Sequence, residues 1–488
     1  FFPADSITMR VHRCTSAGNT TQHHNSRAIV QNHSSYGYRA VRATWKESKN
    51  QTTTPAATMG GNWGEPVLIS GGGIAGLATA LALSKVGIPV RVFESAQGLR
   101  QEGAAVSLWP NAWRALEALG LAEELRSSHQ LLRRVEICSS EGKLLRAFDL
   151  AECDVGPQGS ETRGLLRATL LQALYERLPD RECVVEFAKS VREVLLTSEG
   201  DAAGQGPVAV RLSDGRTVYG SVLIGSDGVG SEVARYLKLS PPRFSGYCAY
   251  RGVANFPDLD PDGVSGSGSG CGPGDLRCDT IRQIWGAGVR AGLYPLTRTS
   301  FYWFTCFNAD NRAAIQPPAS AEGRQLAALA SVREWSSALG IQAAIAATPP
   351  EDISWSRICD RWTLGAFGKS VVTLAGDAAH PMTPNLGQGG CTALEDAVVL
   401  ARRLGALAQA AVSTPPSSTD VANTLRSYEY ERTSRCLPLT VRANLMGVAL
   451  QVPLLPVVAA RNAFMERAFS SGHFLDHTTY DCGRLDDL

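Results

Sequence analysis

Asp377, within the run 376–397 (GDAAHPMTPNLGQGGCTALEDA), is the residue best placed to do chemistry on a polyhydroxylated ligand. A carboxylate at a strand end can receive hydroxyls from a sugar-like chain. A few residues later, Gly387, Gln388, Gly389 and Gly390 offer bare backbone amides near the start of a predicted helix. Amides at the positive end of a helix suit developing negative charge. The preceding run KSVVTLA is apolar and β-branched, which predicts a buried strand, and 391–404 is apolar at helical spacing. The segment therefore reads as strand, Gly/Pro-rich loop, helix. Glycines that only shape a turn are the plain alternative, and a lone Gly-Asp dipeptide would mean no more than that.

A second constellation lies upstream. Residues 66–70 read as a buried strand, GGGIAG follows, and 77–86 continue as an Ala/Leu-rich helix ended by Gly87. Gly71 permits the tight turn, Gly73 lets backbone approach a pyrophosphate, and Gly76 lets helix and strand pack closely. Residues 90–93 form a second predicted strand, and Glu94 follows it, 23 residues after Gly71. That distance suits a carboxylate accepting the hydroxyls of an adenosine ribose.

The pairing separates two classes of enzyme. A nicotinamide dehydrogenase needs only the glycine turn. A flavoprotein needs that turn for the ADP half of FAD and a later site for the ribityl and flavin half, and this chain carries both. Between them, Asp227 and Gly228 follow a strand-like stretch at 217–224, although Asp-Gly is also a common turn. GAGVRAG at 286–292 fits the glycine spacing too. Pro295 follows within a few residues and leaves no room for a helix, so it is rejected as a second nucleotide site.

These three segments resemble the signatures of the group A FAD-dependent aromatic monooxygenases, the p-hydroxybenzoate hydroxylase-like family. Flanking stretches agree: GAAVSLWPNAWRALEALGL at 103–121, LLRATL at 165–170, GYCAYRGVA at 246–254 and YEYERTSR at 428–435. Within the family the chain looks closest to plant salicylate-hydroxylase-like monooxygenases, whose ending HTTYDCGRL resembles, and to zeaxanthin epoxidase. The resemblance implies FAD as cofactor, NADPH or NADH as electron donor, and O2. One oxygen atom would enter an aromatic or phenolic small molecule through a flavin C4a-hydroperoxide, with isoprenoid epoxidation, another flavin oxidoreduction or a non-catalytic FAD-binding role as alternatives.

It also implies site residues. Glu94 becomes the ribose ligand, Ser107 and Arg167 contacts to FAD, Asp377 the ribityl ligand, and 387–390 backbone donors to the flavin ring. Asp227 and Gly228 would serve FAD and NAD(P)H together. The family usually has Arg directly after Val233; here Ala234 stands there and Arg235 follows, which departs from the expected basic contact. Because the flavin carries the chemistry, no catalytic triad is required, and His380 is read as shaping its loop. Tyr250, Arg251, Trp285 and Pro384 are the substrate-side candidates, with Tyr302 and Trp303 nearby and Arg251 able to meet a carboxylate or phenolate.

Composition is consistent with an enzyme of several segments. The 488 residues are 44% hydrophobic with net charge +1 and no basic patch, which argues against nucleic acid as a partner. Twelve scattered cysteines without a C-x-x-C pair give neither a disulfide framework nor a zinc site. Residues 1–58 hold seven Lys/Arg and two Asp/Glu, so +5 against −4 for the remainder. They fit a plastid or mitochondrial transit peptide, or translated upstream sequence of a cytoplasmic protein starting at Met59. The broken apolar run 445–460 predicts a packed helix pair, with weak membrane-surface contact as the alternative and no transmembrane segment.

The expected fold is α/β: a Rossmann-like FAD-binding domain, an inserted β-sheet substrate domain and C-terminal helices. An extension occupies 1–62. FAD-domain parts fall at 63–130, 159–238 and 358–410, a substrate-domain hairpin at 131–158, the substrate domain at 239–357, and helices at 420–488. Another hairpin is expected from 208–212 and 217–224. The Gly/Ser-rich stretch 258–279 reads as a surface insertion.

Overall fold

Val67–Ser70, Val90–Phe93, Val222–Gly225 and Val372–Leu374 are short, apolar and mostly β-branched, and almost every residue in them is buried. Strands with two apolar faces need cover on both sides, which is the setting of a parallel sheet. They form one, in the order Val372–Leu374, Val222–Gly225, Val67–Ser70, Val90–Phe93, Val185–Glu186. All four pairings are parallel, with Val67 opposite both Val222 and Val90, and Leu223 opposite Val372. The computed structural model describes residues 63–100, 105–152, 161–196, 206–257, 259, 276–309, 316–411, 414–469 and 475–486. The predicted extension at 1–62 and most of the 258–279 insertion lie outside them.

Helix Ile74–Lys85 is buried from Ile74 through Leu83 and packs along helix Gly389–Ala410. Its small, apolar residues allow that close approach. It begins three residues earlier than the sequence predicts, because the glycine turn runs straight into it. The expected strand 217–224 is instead two strands. Thr217–Gly220 pairs with Val208–Leu212, whereas Val222–Gly225 joins the parallel sheet. Gly220 lies at the break, where a Cβ would come within 2.5 Å of the Leu68 side chain.

A seven-stranded sheet has the order Ser354–Asp360, Arg243–Asn255, Ser300–Asn308, Val289–Pro295, Thr280–Trp285, Arg134–Ser139, Leu144–Asp149. The predicted hairpin around residues 140–142 forms its far edge. GAGVRAG is a tight connection between antiparallel strands, with Gly286 N donating to Val289 O at 2.9 Å, so its rejection as a nucleotide site holds. Helices Ala321–Ser331 and Ile341–Ala346 cover one face of this sheet.

Helix Ser418–Leu450, with Pro438 inside it, packs on helix Gly389–Ala410. Helix Leu455–Arg467 follows at a bend of 117°. Among the described residues no single helix is long and apolar enough to cross a membrane; this bent pair reaches that length and composition only jointly. The pair is less packed than expected, since Leu445, Val448, Leu454, Leu455 and Phe464 are exposed.

Candidate flavin and substrate site

Each strand of the parallel sheet that carries a predicted site residue delivers it at the carboxyl end, where ligands of open α/β sheets bind. Gly71 follows Ser70 with φ +101°, and a Cβ on it would fall 2.6 Å from Ser226 O. A Cβ on Gly76 would fall 1.9 Å from Gly71 O, so the helix could not seat on the turn. Gly73 differs. The nearest atom to its Cβ position is Arg167 Nη2 at 3.6 Å, so the protein itself does not require glycine there. Its bareness leaves the turn open toward a ligand, beside a guanidinium. Glu94 is buried at the next strand end, and its Oε2 accepts Gly72 N at 2.7 Å while Oε1 accepts Ala96 N at 2.8 Å. The carboxylate is thereby locked against the glycine turn.

The late motif arrives at the same place. Gly376 takes φ +61° in the turn Gly376–Ala378, and a Cβ there would meet the Ala75 Cβ at 2.7 Å. Asp377 is open to the cleft but enclosed by protein on its other sides. The loss of surrounding water raises its pKa, while His380 and Arg167 pull it down. Its Oδ1 lies 3.8 Å from the Cβ position of Gly389, the first residue of helix Gly389–Ala410. No side chain caps that helix, which leaves its first amides for another acceptor. A Cβ on Gly390 would lie 3.7 and 3.8 Å from Val106 and Ile74, and one on Gly387 (φ +63°) would lie 2.9 Å from Trp109 Nε1.

Two motifs about 300 residues apart in the chain thus form one cleft. Ser107 borders it on strand Ala105–Leu108, opposite Gly164, its carbonyl accepting the Cys391 thiol at 3.6 Å. Gln388 does not present its side chain to the cleft: the amide is buried, with Oε1 accepting Asn111 Nδ2 at 2.8 Å. Asp227 has one carboxylate oxygen engaged, and the other has no hydrogen-bond partner among the described residues. Its Oδ2 accepts Glu232 N at 2.9 Å at the start of helix Glu232–Tyr236, and burial raises its pKa. Gly228 beside it holds φ +80° with open space at its Cβ position. Arg235, the displaced basic residue, pairs with Glu232 at the surface.

The substrate-side candidates divide by strand parity. Successive residues of a strand point to opposite faces. The register aligns Arg251, Phe304, Gly292, Gln283 and Ile137 in one row across the sheet. That face, with the loop 384–387, bounds a cavity lined by Trp109, Val135, Ile137, Ile281, Gln283, Trp285, Tyr294, Asn385, Leu386, Met446 and His477. Trp285 is in it. Tyr250 is one residue out of phase and stacks on Phe307 at 5.3 Å in the core on the opposite side, where Trp303 donates to Thr348 Oγ1 at 2.7 Å. Arg251 shares the cavity face but lies three strands from Gln283 and donates to Ser356 Oγ at 2.6 Å. Pro384 is exposed; its neighbours Asn385 and Leu386 form the wall. Gln283, Tyr294, Met446 and His477 were not among the expected site residues, since only the packing of distant segments brings them together.

A family model described as FAD binding domain matches residues 65–262 and 297–435. The chain is 30% identical to Monooxygenase 2 of Arabidopsis thaliana, over 86% of its own length and 98% of that protein. It is 34% identical to the aurachin C monooxygenase/isomerase of Stigmatella aurantiaca, over 70% and 81%. Among solved structures, Klebsiella pneumoniae HpxO complexed with FAD and uric acid superposes with a TM-score of 0.69 at 25% identity, covering 86% of this chain and 96% of that one. The chain belongs to the FAD-dependent aromatic monooxygenases. FAD is therefore its cofactor, and the glycine turn and uncapped helix start are consistent with that assignment.

Behind the cleft, the monooxygenase carries an ionic network that reading the sequence missed. Arg432, fully buried on helix Ser418–Leu450, donates from Nη2 to Glu395 Oε2 at 2.7 Å and from Nε to Asp396 Oδ1 at 2.6 Å. Asp396 Oδ2 accepts Gly376 N and His380 Nε2, each at 2.7 Å. Burial opposes the charge on His380, but Asp396 holds its pKa well above the ordinary value. His380 thus braces the Gly-Asp turn, in keeping with its expected loop-shaping role. His380, Asp396 and Cys436 also converge within 4.8 Å, the arrangement of a small metal site. Arg432 already places a cation against Asp396 and Cys436, so the cluster reads as part of the ionic network. The signal for Arg432 was present in YEYERTSR, but nothing local says that it faces inward.

Proposed function

We propose that the protein is an NAD(P)H-dependent monooxygenase that inserts one oxygen atom of O2 into an aromatic or phenolic small molecule. The observation that carries this reading is the cavity, walled by Trp109, Trp285 and Tyr294 and bordered by the same loop that leads into the uncapped helix. When bound, FAD accepts electrons from NAD(P)H and delivers oxygen from O2. The chain's own residues bind, orient and exclude water. Glu94 takes the ribose hydroxyls, Gly73 and Arg167 receive the pyrophosphate, and Asp377 takes the ribityl chain. The amides of Gly389 and Gly390 face the flavin ring. Asp227 shapes the helix beside Gly228, where NAD(P)H approaches. No second nucleotide fold appears among the described residues, so donor and flavin share one face, an arrangement open to gating by substrate.

The test is NADH and NADPH oxidation by the purified yellow protein under air, with and without a panel of phenols. Oxidation should be slow alone and rise at least ~10-fold with a suitable phenol, about 1.4 kcal/mol in the barrier, with hydroxylated product formed. Fast oxidation that no aromatic changes, with all electrons recovered as peroxide, contradicts the proposal. Product from a carotenoid and from no phenol would make it an epoxidase.

A further inference from the structure

His477, in the turn Asp476–Thr478, lines the aromatic cavity and is only 7% exposed. Neither ring nitrogen has a hydrogen-bond partner among the described residues, and the Asp476 carboxylate stays 3.7 Å from Nδ1. Buried polar atoms are rarely left so. The backbone around it is firmly held. Arg435 Nη2 donates to His477 O at 2.8 Å, Arg114 Nη1 to Thr478 O at 3.0 Å, and Thr478 Oγ1 to Leu475 O at 2.8 Å. The ring is thus fixed at the cavity wall with its polar edge unused.

Burial lowers the pKa of His477 to about 4, with Arg442 and Arg435 adding to the shift and Asp476 opposing it, so the ring is neutral at pH 7. A neutral imidazole offers one N–H donor and one acceptor nitrogen. The rest of the described wall carries no charge. Gln283 Nε2 donates to Tyr294 OH at 2.5 Å, and Asn385 Nδ2 is shared among Tyr247 OH, Thr383 Oγ1 and Ala443 O. The indole N–H groups of Trp109 and Trp285 lack acceptors, which adds donors but no charge. Arg290, on the adjoining strand, is laid over the Phe304 ring instead. The charge of Arg290 is felt at Tyr294 and the charges of Arg442 and Arg435 at His477, so a cationic field reaches the wall although no charged side chain lines it.

We infer that His477 is a substrate-contacting residue that hydrogen-bonds an uncharged hydroxyl or N–H of a flat aromatic molecule. The inference rests on the cavity being the substrate site of the proposed hydroxylation.

Quenching of tryptophan fluorescence reads occupancy directly, because Trp109 and Trp285 are in the wall. The probes are 2-naphthol and naphthalene, titrated into the FAD-loaded full chain at about pH 7.5. The wild type should bind 2-naphthol at least ~10-fold more tightly than naphthalene, and His477→Phe should bind 2-naphthol about 10-fold more weakly, with naphthalene unchanged. His477→Gln, which keeps a donor and an acceptor, should recover most of the loss. Undiminished 2-naphthol binding by His477→Phe, or a wild type that binds naphthalene as tightly as 2-naphthol, overturns the inference. If His477→Phe does not accumulate, the wild-type preference decides alone. FAD content and NAD(P)H oxidation on the same samples test the function separately: a protein that hydroxylates aromatics but binds 2-naphthol no better than naphthalene sinks only the role of His477.

Discussion

Arg432 Nε donates to Asp396 Oδ1 at 2.6 Å, with both side chains entirely removed from solvent. Through the other oxygen of Asp396, this bond reaches Gly376 N and His380, so helix Ser418–Leu450 holds the turn that carries Asp377. Desolvating such groups is expensive, and their worth shows when one partner is lost. Arg432→Met leaves Glu395 and Asp396 buried without their central cation and should cost about 3–5 kcal/mol in urea unfolding near pH 7.5. Arg403→Met removes a partly exposed pair with Glu431 and should cost no more than about 1 kcal/mol. Equal losses would mean that the buried network has no special weight.

Two glycines of one motif should fail differently. Gly76→Ala drives a methyl to 1.9 Å from Gly71 O and should give insoluble or unfolded protein. Gly73→Ala meets nothing closer than Arg167 Nη2 at 3.6 Å. It should fold with near wild-type stability and bind FAD at least ~10-fold more weakly, a loss of about 1.4 kcal/mol. Flavin fluorescence titration alongside urea unfolding separates the two. Wild-type FAD affinity in Gly73→Ala would remove the pyrophosphate from that turn.

A hydrogen bond to a charged group contributes about 1.5–3 kcal/mol. Asp377→Ala should therefore weaken FAD by roughly 10- to 150-fold at ~1.4 kcal/mol per decade. Glu94→Ala should weaken it comparably and also release Gly72 N. Asp214→Ala, in an exposed hairpin turn beside Lys189 and Arg216, should change FAD affinity little. Arg251→Ala, two strands from the strand of Tyr294 and paired with Ser356, should leave substrate stimulation of NAD(P)H oxidation intact. A large loss of stimulation there would place the guanidinium at the substrate after all.

His477 makes stability depend on pH in a definite direction. Its folded pKa is about 4 against an ordinary 6.5, lowered by burial and by Arg442 and Arg435, with Asp476 opposing. Between those values the unfolded chain binds a proton that the folded chain refuses, so stability falls as pH drops from about 6.5 to 4. At 1.36 kcal/mol per unit the loss approaches about 3 kcal/mol. His477→Gln should remove that part of the slope, measured as the difference in urea unfolding free energy between variant and wild type at pH 7 and 4.5. Parallel pH profiles for the two proteins would show that His477 titrates normally.

The strands, turns and helices that carry the expected FAD residues were legible because their signals are local. A β-branched run, glycines at fixed spacing, an Ala/Leu helix and an acid at the next strand end each follow from short-range sterics and hydrogen bonding. The order of the pieces then implied a flavoprotein before any contact was known. Tertiary structure decided what local signals cannot carry. Whether Tyr250 or Arg251 faces the cavity depends on strand parity, and a one-residue phase error turns a side chain to the other face. Thr217–Gly220 and Val222–Gly225 look continuous in sequence, yet the close approach of Gly220 to Leu68 accompanies their division between two sheets. Arg432 reads as one more polar residue on a long helix until Glu395 and Asp396 are seen to bury against it. His477 follows the same rule: its burial, its neutral charge and its place beside Gln283 and Trp285 come from the packing of segments nearly 200 residues apart. Long-range burial sets the roles of Arg432 and His477, and no spacing within the chain encodes it.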